Sequence, residues 1–599
     1  MSDATVSLLI LAACVGLFVW NRLSVGVVAI LTALALYATG LVDAAQAVAG
    51  FGDPVVIFIA TLFVLSEGLE SSGVTAWVGQ QLVQRAGTAR SRLLIALMVL
   101  AALMAALVTP NGAAAALLPV VVLAARRSGQ ATSQVLMPLA FAASAGALLV
   151  LSGSPVNVIV ADALADRTGE PFGFFEFALM GLPLVLVTVA VSVLGGRRLL
   201  PNRTPSSLPA DYSQHVDTLV EHYDLAVGFF RLTVRAASDM VGRRCAEVAV
   251  PDDVRLIGVQ RASGSPAGED DPLEVGSVVV VTGSNAGIAS VIEQHGLAVA
   301  STPLTRGTRE ALLGREVGVA EVVVRPRSRL IGEVAFAGVA HWGVTVLGIR
   351  RRGKDKGAQK VTLAEGDSLL VHGPWPAVEA FSDNQDVLVV DSPELVRRQT
   401  VALGPTARRA LAVVALTVVL LATGVVPPAI AGLIGAGAMV ICGVVTGPQA
   451  YRAISWQTVV LIGGLIPLSV AIATSGAADL IAGWLGGMVG GGGERVLLAT
   501  IFLLTLLLGQ VVSNTATVLI VLPIAVAMAD DAGVPLAPVL MLVAVAGAAS
   551  FLTPIATPAN LIVTGPGDYK FSDFWKLGLA TTVAWFVVSI ALIPVIWSG

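Results

Sequence analysis

The sequence predicts a polytopic α-helical membrane protein of two inverted repeats, each with a re-entrant hairpin and a broken helix, interrupted by a soluble α+β insert. Three observations predict it: apolar composition, confinement of charge to the middle of the chain, and an internal match at a fixed offset. The apolar set AVILMFWYC makes up 56% of the chain, with 62 Gly, 13% charged residues and a mean hydropathy of +0.85. Soluble chains average about 25% charged residues, so a disordered, nucleic-acid-binding or ordinary cytosolic protein is excluded. A net charge of -4 gives no sign of a polyanionic partner such as nucleic acid. Cys14, Cys245 and Cys442 are too scattered for a disulfide framework or metal cluster, and the His residues lack ligand spacing such as HExxH.

Of the 36 Lys and Arg residues, 23 lie between residues 201 and 410, marking residues ~203–400 as soluble. The domain plan is therefore 1–200 for the first transmembrane repeat, 203–305 and 306–395 for two units of the insert, and 400–599 for the second repeat. Membrane-crossing runs need about 20 apolar residues. They fall at 5–20, 25–42, 54–72, 92–108, 113–125, 134–150 and 176–196, then at 409–423, 426–446, 457–474, 496–512, 514–529, 536–552 and 577–597. The N-terminal run has no basic n-region and no small-residue cleavage site, so it reads as a retained span. Runs 92–108/113–125 and 496–512/514–529 have almost no polar spacer. Irregular backbone at membrane depth is tolerated only where it is buried or lines a polar cavity, so these pairs read as re-entrant hairpins.

The halves match at an offset of 403–404. Leu62…Ser66…Ser72-Gly73 matches Leu465…Ser469…Ser475-Gly476, and Thr109-Pro110-Asn111…Pro119 matches Ser513-Asn514-Thr515…Pro523. Gly153-Ser154-Pro155-Val156-Asn157 matches Ala556-Thr557-Pro558-Ala559-Asn560, and a few residues on, at an offset of 397, Glu176-Phe177…Gly181 matches Asp573-Phe574…Gly578. Five spans and one hairpin per half make an odd count, so the second half enters the membrane upside down. With the insert in the cytoplasm, Arg22, Arg85, Arg90, Arg92, Arg126, Arg127, Arg197, Arg198, Arg397, Arg408, Arg452, Lys570 and Lys576 fall inside, and Arg495 falls outside. That asymmetry satisfies the positive-inside rule and places both termini outside.

Inverted repeats with discontinuous helices are the build of secondary transporters, with the substrate near the midplane. The Pro-interrupted segments 150–160 and 552–563 are the broken helices. Polar residues at the tips and breaks are neutral: Thr109, Asn111, Ser152, Ser154, Asn157, Ser513, Asn514, Thr515, Thr517, Thr557 and Asn560. Helix N-termini suit an anion; unwound carbonyls and Asn or Ser oxygens suit a cation such as Na⁺. Glu67 is a candidate proton or cation site, since acids inside a span are costly and functional by default. No nucleophile–base pair or metal motif lies at membrane depth, which argues against an enzyme, and no cofactor is expected.

Ser513-Asn514-Thr515-Ala516…Pro523 and Ala556-Thr557-Pro558-Ala559-Asn560 resemble the second-half motifs of the divalent-anion/sodium symporter family, and the likeness covers both hydrophobic halves. The resemblance implies a homodimeric elevator transporter in the plasma membrane that takes up sulfate, citrate or a dicarboxylate, usually with sodium. It implies anion contacts from Ser513, Asn514, Thr515, Thr557 and Pro558, with Thr109, Asn111, Ser154, Pro155, Asn157 and Asn560 completing the expected substrate set. It implies one sodium site at Asn514 and the Ala556 carbonyl, and another at Thr109, Asn111 and Gly153. Aligned on Pro119, Pro110 stands where the family has Asn, and proline supplies neither a side-chain ligand nor an N–H. Proton coupling through Glu67 and a shifted site using Asn111 both stay open. So do a cation/proton antiporter or arsenite-type permease on a related fold, and a membrane sensor with vestigial transport.

The insert repeats at an offset of 90: Ser238…Gly242 matches Ser328…Gly332, and Leu273-Glu274-Val275-Gly276…Gly283 matches Leu363-Ala364-Glu365-Gly366…Gly373. Its β-rich runs alternate with turn signals. Leu330-Ile331-Gly332…Leu363-Ala364-Glu365-Gly366-Asp367…Leu369-Leu370-Val371-His372-Gly373-Pro374 resembles the C-terminal subdomain of potassium-conductance regulators (TrkA-C, or RCK-C). That likeness implies two tandem regulatory units that pair and bind a nucleotide or other small ligand. The basic run Arg350-Arg351-Arg352-Gly353-Lys354-Asp355-Lys356 reads as a ligand-phosphate or anionic-leaflet contact, or as a solvated loop between strands.

Overall fold

Proline, glycine and short capping side chains punctuate the apolar runs, and the helices start and stop at them. The computed structural model describes residues 2–597 apart from 21, 87–88, 204–228, 245–246, 248–249, 252–253, 263–266, 268–270, 300–316, 342, 352–353, 357–359, 383, 391–404 and 490–492. Cys245, Arg352, Gly353 and Arg397, and the boundary at 305/306, lie outside the described residues. The chain divides into two compact units, Met1–Pro209 with Leu403–Gly599, and Ala210–Ala402.

In the first unit the leading half runs α1 (Asp3–Trp20), α2 (Val25–Ala38), α3 (Ala44–Ala49), α4 (Pro54–Ser71), α5 (Val74–Ala86), α6 (Arg90–Leu107), α7 (Pro110–Arg127), α8 (Leu136–Gly146), α9 (Pro155–Thr168) and α10 (Ala178–Leu199). Helices α11 (Asn285–His295) and α12 (Trp375–Ser382) belong to the other unit. The trailing half repeats the order of the first with α13 (Pro405–Thr423), α14 (Pro428–Ile441), α15 (Gly447–Ala453), α16 (Trp456–Thr474), α17 (Ala477–Val489), α18 (Gly493–Gly509), α19 (Asn514–Ala532), α20 (Leu536–Ala548), α21 (Pro558–Thr564) and α22 (Phe574–Ile596). Each element of one half thus has a counterpart in the other.

The short helices α3 and α15 each begin with a capping box, Asp43 with Gln46 and Thr446 with Gln449, in which side chain and backbone satisfy each other reciprocally. Packing partners exchange between halves as a pseudo-twofold requires. Helix α2 packs on α16 and its counterpart α14 packs on α4, while α10 packs on α22 directly. Among the described residues, nine helical runs are long and apolar enough to cross a bilayer. The run Thr132–Leu149, which contains α8, is wholly buried, whereas α10 and α22 expose Leu186, Leu194 and Val587. The first is a protein-enclosed span; the others present an apolar face suited to lipid.

The strongest sign of the repeat lies at the breaks. Between α8 and α9 the backbone unwinds, and Asn157 Nδ2 donates to the carbonyls of Ala147 (2.8 Å) and Val150 (2.9 Å). Between α20 and α21, Asn560 Nδ2 donates to Ser550 (2.9 Å) and Thr553 (3.1 Å), each residue displaced by 403. Carbonyls that lose their helical partners inside a protein need replacements, and one buried amide supplies two in each half. The next span presses on each break through a glycine. A Cβ on Gly181 would lie 2.2 Å from Leu148 O, and one on Gly578 would lie 2.3 Å from Phe551 O.

The second unit holds two sheets of matching order. Strands β1 (Phe229–Val234), β2 (Val254–Gln260), β3 (Val278–Gly283) and β4 (Leu297–Val299) form an antiparallel sheet ordered β2-β3-β1-β4. Strands β5 (Val317–Val324), β8 (Val344–Arg351), β11 (Ser368–Pro374) and β12 (Val387–Val389) repeat it as β8-β11-β5-β12. The sheet is extended by β7 (Ala340–His341) and β9 (Lys354–Asp355), while β6 (Val334–Ala335) pairs with β10 (Val361–Thr362). The offset of 90 recurs in the hydrogen bonds: Gly242 N donates to Leu273 O, and Gly332 N to Leu363 O. Both glycines have positive φ, +83° and +92°, which any side chain would strain. Arg351 forks onto buried Asp367 with two contacts of 2.7 Å, so this part of the basic run is tied down.

Candidate functional site

Four helix N-termini belong to the hairpin tips and breaks: those of α7, α9, α19 and α21. Pro155 and Pro558 occupy the first turn of α9 and α21, where a missing N–H costs nothing. Ser154 Oγ accepts from Val156 N (3.3 Å), and Thr557 Oγ1 from Asn560 N (3.2 Å). On the first hairpin Thr109 Oγ1 accepts from Gly112 N (3.1 Å). Ser513 at the start of α19 makes no such cap, and its hydroxyl is buried without a hydrogen-bond partner.

The broken helices cross between halves. Helix α9 packs on α19 and α20, and α21 packs on α7 and α8. Gly547 marks one crossing, since a Cβ there would meet Val518 at 2.6 Å and Val156 at 3.6 Å. The first turn of α9, through Val156, therefore meets α19 near Val518, one turn in from Ser513, Asn514 and Thr515. At the other crossing, α21 with Thr557, Pro558 and Asn560 lies against α7, the helix of Thr109 and Asn111.

The second tip is also tied to its own break. Ser550 Oγ donates to Asn514 Oδ1 (2.6 Å). Gln510 accepts from Leu552 N at its Oε1 (3.2 Å) and donates through Nε2 to Leu506 O (3.3 Å). Fully buried Thr517 has an unpartnered Oγ1. The Oδ1 atoms of Asn157 and Asn560 are likewise buried without a partner, while their Nδ2 groups are committed to the breaks. These two residues thus offer acceptor oxygens, not donors, to whatever enters. No Lys or Arg lies in the four motifs, so the positive potential at these helix starts comes from backbone N–H groups and helix dipoles.

Glu67, inside the predicted run 54–72, lies just before the last turn of α4, and Glu70 lies in that turn. Asn111 is exposed, Thr109 and Asn514 are half-buried, and Gly153 and Ala556 are buried. A Cβ on Gly153 would lie 2.3 Å from Ala147 O, so that glycine lets the break fold back on itself. Gln510 and Ser550 escape a motif search, although a lone amide in the run 496–512 is itself a signal of interhelical bonding.

Paired hairpins and paired breaks, matched element by element between two apolar halves, are the build of a membrane transporter. The citrate-transporter family model CitMHS matches residues 15–533 and again 418–599, and the chain belongs to that family. It is 30% identical to the uncharacterized transporter YfbS of Escherichia coli K12, across 98% of each chain. It is 23% identical to the probable sodium/sulfate cotransporter 3 of Chlamydomonas reinhardtii, across 56% of this chain and 38% of that one. The sodium-dependent dicarboxylate transporter SdcS of Staphylococcus saprophyticus is 31% identical, across 25% of this chain and 29% of its own length.

Proposed function

We propose that this protein imports a small dianion, sulfate or a dicarboxylate, together with a cation, which we take to be sodium. The observation that carries the reading is that α9 packs on α19 and α21 on α7, so that each broken helix meets the hairpin helix of the opposite half. Polar helix starts bind an anion without a fixed positive charge. Ser513, Asn514, Thr515, Ser154, Thr109 and Thr557 are the proposed anion contacts. The cation is held beside Asn514. The names of the sodium/sulfate and dicarboxylate relatives support the substrate class.

In this reading the chain works as a homodimer in the plasma membrane. The hairpins and broken helices travel together as an elevator, and the other spans form the dimer scaffold. The insert is cytoplasmic and consists of two TrkA-C-like units that regulate transport through a nucleotide or other small ligand. The test is uptake of labelled sulfate and labelled succinate into proteoliposomes, with and without a sodium gradient, comparing the parent with Asn514→Ala. Sodium-stimulated uptake of one anion, lost in Asn514→Ala, is expected. Uptake indifferent to Asn514→Ala, or sodium/proton exchange with no anion movement, would refute the proposal.

A further inference from the structure

Four arginines share one end of two packed spans. Helix α6 begins with Arg90 and Arg92, α10 ends with Arg197 and Arg198, and the two helices pack on each other. Arg90 is half-buried and donates through Nη2 to Gln134 Oε1. Gln134, itself buried, donates through Nε2 to Leu200 O (3.1 Å) and Pro201 O (2.8 Å), just past the end of α10. This chain of bonds fixes the start of α6 beside the last turn of α10, and Arg197 lies close enough to Arg90 for their charges to repel. Among the described residues Arg92, Arg197 and Arg198, all exposed, make no ion pair. Asp573, which reaches the same network through Arg203, is taken up by that arginine at 2.8 Å.

Two of these arginines end rows of exposed apolar side chains. On α10, Leu182, Leu186, Ala190 and Leu194 are exposed at every fourth residue, and Arg198 is next in that row. On α6, Ile95, Val99 and Leu103 are exposed at the same spacing, and Arg92 precedes Ile95 by one turn. Residues three and four apart share a helix face, so each row runs from a guanidinium along a surface suited to acyl chains. The matching end of the second half, at the opposite membrane face, lacks the cluster: Arg90, Arg92, Arg197 and Arg198 correspond to Glu494, Val496, Pro594 and Val595.

We infer that the ends of α6 and α10, at the membrane face from which the chain passes into the insert, form a binding site for an anionic phospholipid. Guanidinium groups pair with a phosphodiester through parallel hydrogen bonds, and the apolar rows take the acyl chains. A free phosphate would meet the charge and leave both rows unused. Basic pockets between spans suit lipid head groups in this way. Gln134 precedes α8, the enclosed span that runs into the first break, so a lipid bound to the cluster also braces that span. The inference holds whatever solute the protein carries.

The test melts the full chain, stripped of lipid in a neutral detergent and followed by tryptophan fluorescence. Dioleoylphosphatidylglycerol, dioleoylphosphatidylcholine or inorganic phosphate is added in rising amounts. A saturable rise in melting temperature with phosphatidylglycerol alone is expected. Arg92→Gln, Arg197→Gln and Arg198→Gln should each raise the half-saturating lipid concentration about fivefold. Arg22→Gln and Arg452→Gln, at other basic span ends, should leave it unchanged. Equal stabilisation by phosphatidylcholine or by inorganic phosphate, a rise that never saturates, or equal weakening by Arg22→Gln and Arg452→Gln would overturn the inference. If the variants fail to fold, hydrogen exchange of the parent decides. Phosphatidylglycerol should slow exchange in residues 197–203 more than around Arg22, and unchanged exchange in 197–203 would overturn the inference.

Discussion

Replacing Asn560 by leucine isolates the brace that holds the second break open. The side chain is fully buried, and its Nδ2 is the donor to Ser550 O and Thr553 O. Leucine keeps the volume and removes both donors. Two buried carbonyls are then left unpaired, at about 1–3 kcal/mol each, so the loss should total about 2–6 kcal/mol. That is a large part of the few to fifteen kcal/mol typical of a folded domain. Thermal unfolding of the full chain in detergent, followed by tryptophan fluorescence, should show a clear drop in melting temperature. Asn157→Leu removes the matching pair of bonds to Ala147 and Val150 and should cost the same to within about 1 kcal/mol. Asn111→Leu, at an exposed position, should stay within about 0.5 kcal/mol of the parent. Unchanged melting in Asn560→Leu, or losses that differ widely between the two asparagines, would refute the reasoning that each amide substitutes for helical hydrogen bonds.

Gly181→Ala and Gly578→Ala place a methyl 2.2 and 2.3 Å from backbone carbonyls that cannot rotate away, so each should destabilise by about 1–3 kcal/mol, measured by the same melts. Tyr569→Phe removes the hydroxyl that accepts from Met137 N and donates to Ser133 O, and should cost about 1–3 kcal/mol by the lost buried bonds. In the insert, burial pushes the Asp367 carboxyl up, but the Arg351 fork and the Ala364 N–H outweigh it and hold the group below the usual carboxylate range. A depressed carboxyl stabilises the fold fully above its unfolded value of about 3.9, and that contribution is lost as pH falls through the lower folded value. Melting of the parent should therefore drop on acidification below about pH 4, and Asp367→Asn should start lower and respond less.

The repeat was legible because proline, asparagine and glycine mark backbone events that generic apolar residues do not. Pro155 and Pro558 begin helices and Asn157 and Asn560 brace breaks at an offset of 403, and Gly181 and Gly578 admit close approach at an offset of 397. Helices α3 and α15 leave no mark in the hydropathy because each is a turn or two long, yet their D-x-x-Q and T-x-x-Q boxes are readable. The roles of Gln510 and Ser550 were not legible. Each is a single polar residue in an apolar run, and its meaning comes from a partner some 36 to 42 positions away. The crossing of α9 to α19 was equally hidden, since periodicity says which face is apolar but not which half covers it.

The central claim is that starts of broken helices from opposite halves face a single anion. It is tested most directly by substrate protection. With Cys14, Cys245 and Cys442 replaced by serine, single cysteines at Ser154 and at Thr557 are labelled with a water-soluble thiol reagent under rising sulfate or succinate. Protection of both positions with the same half-maximal anion concentration is predicted. Protection of one position only, or of each at a different concentration, would contradict the account.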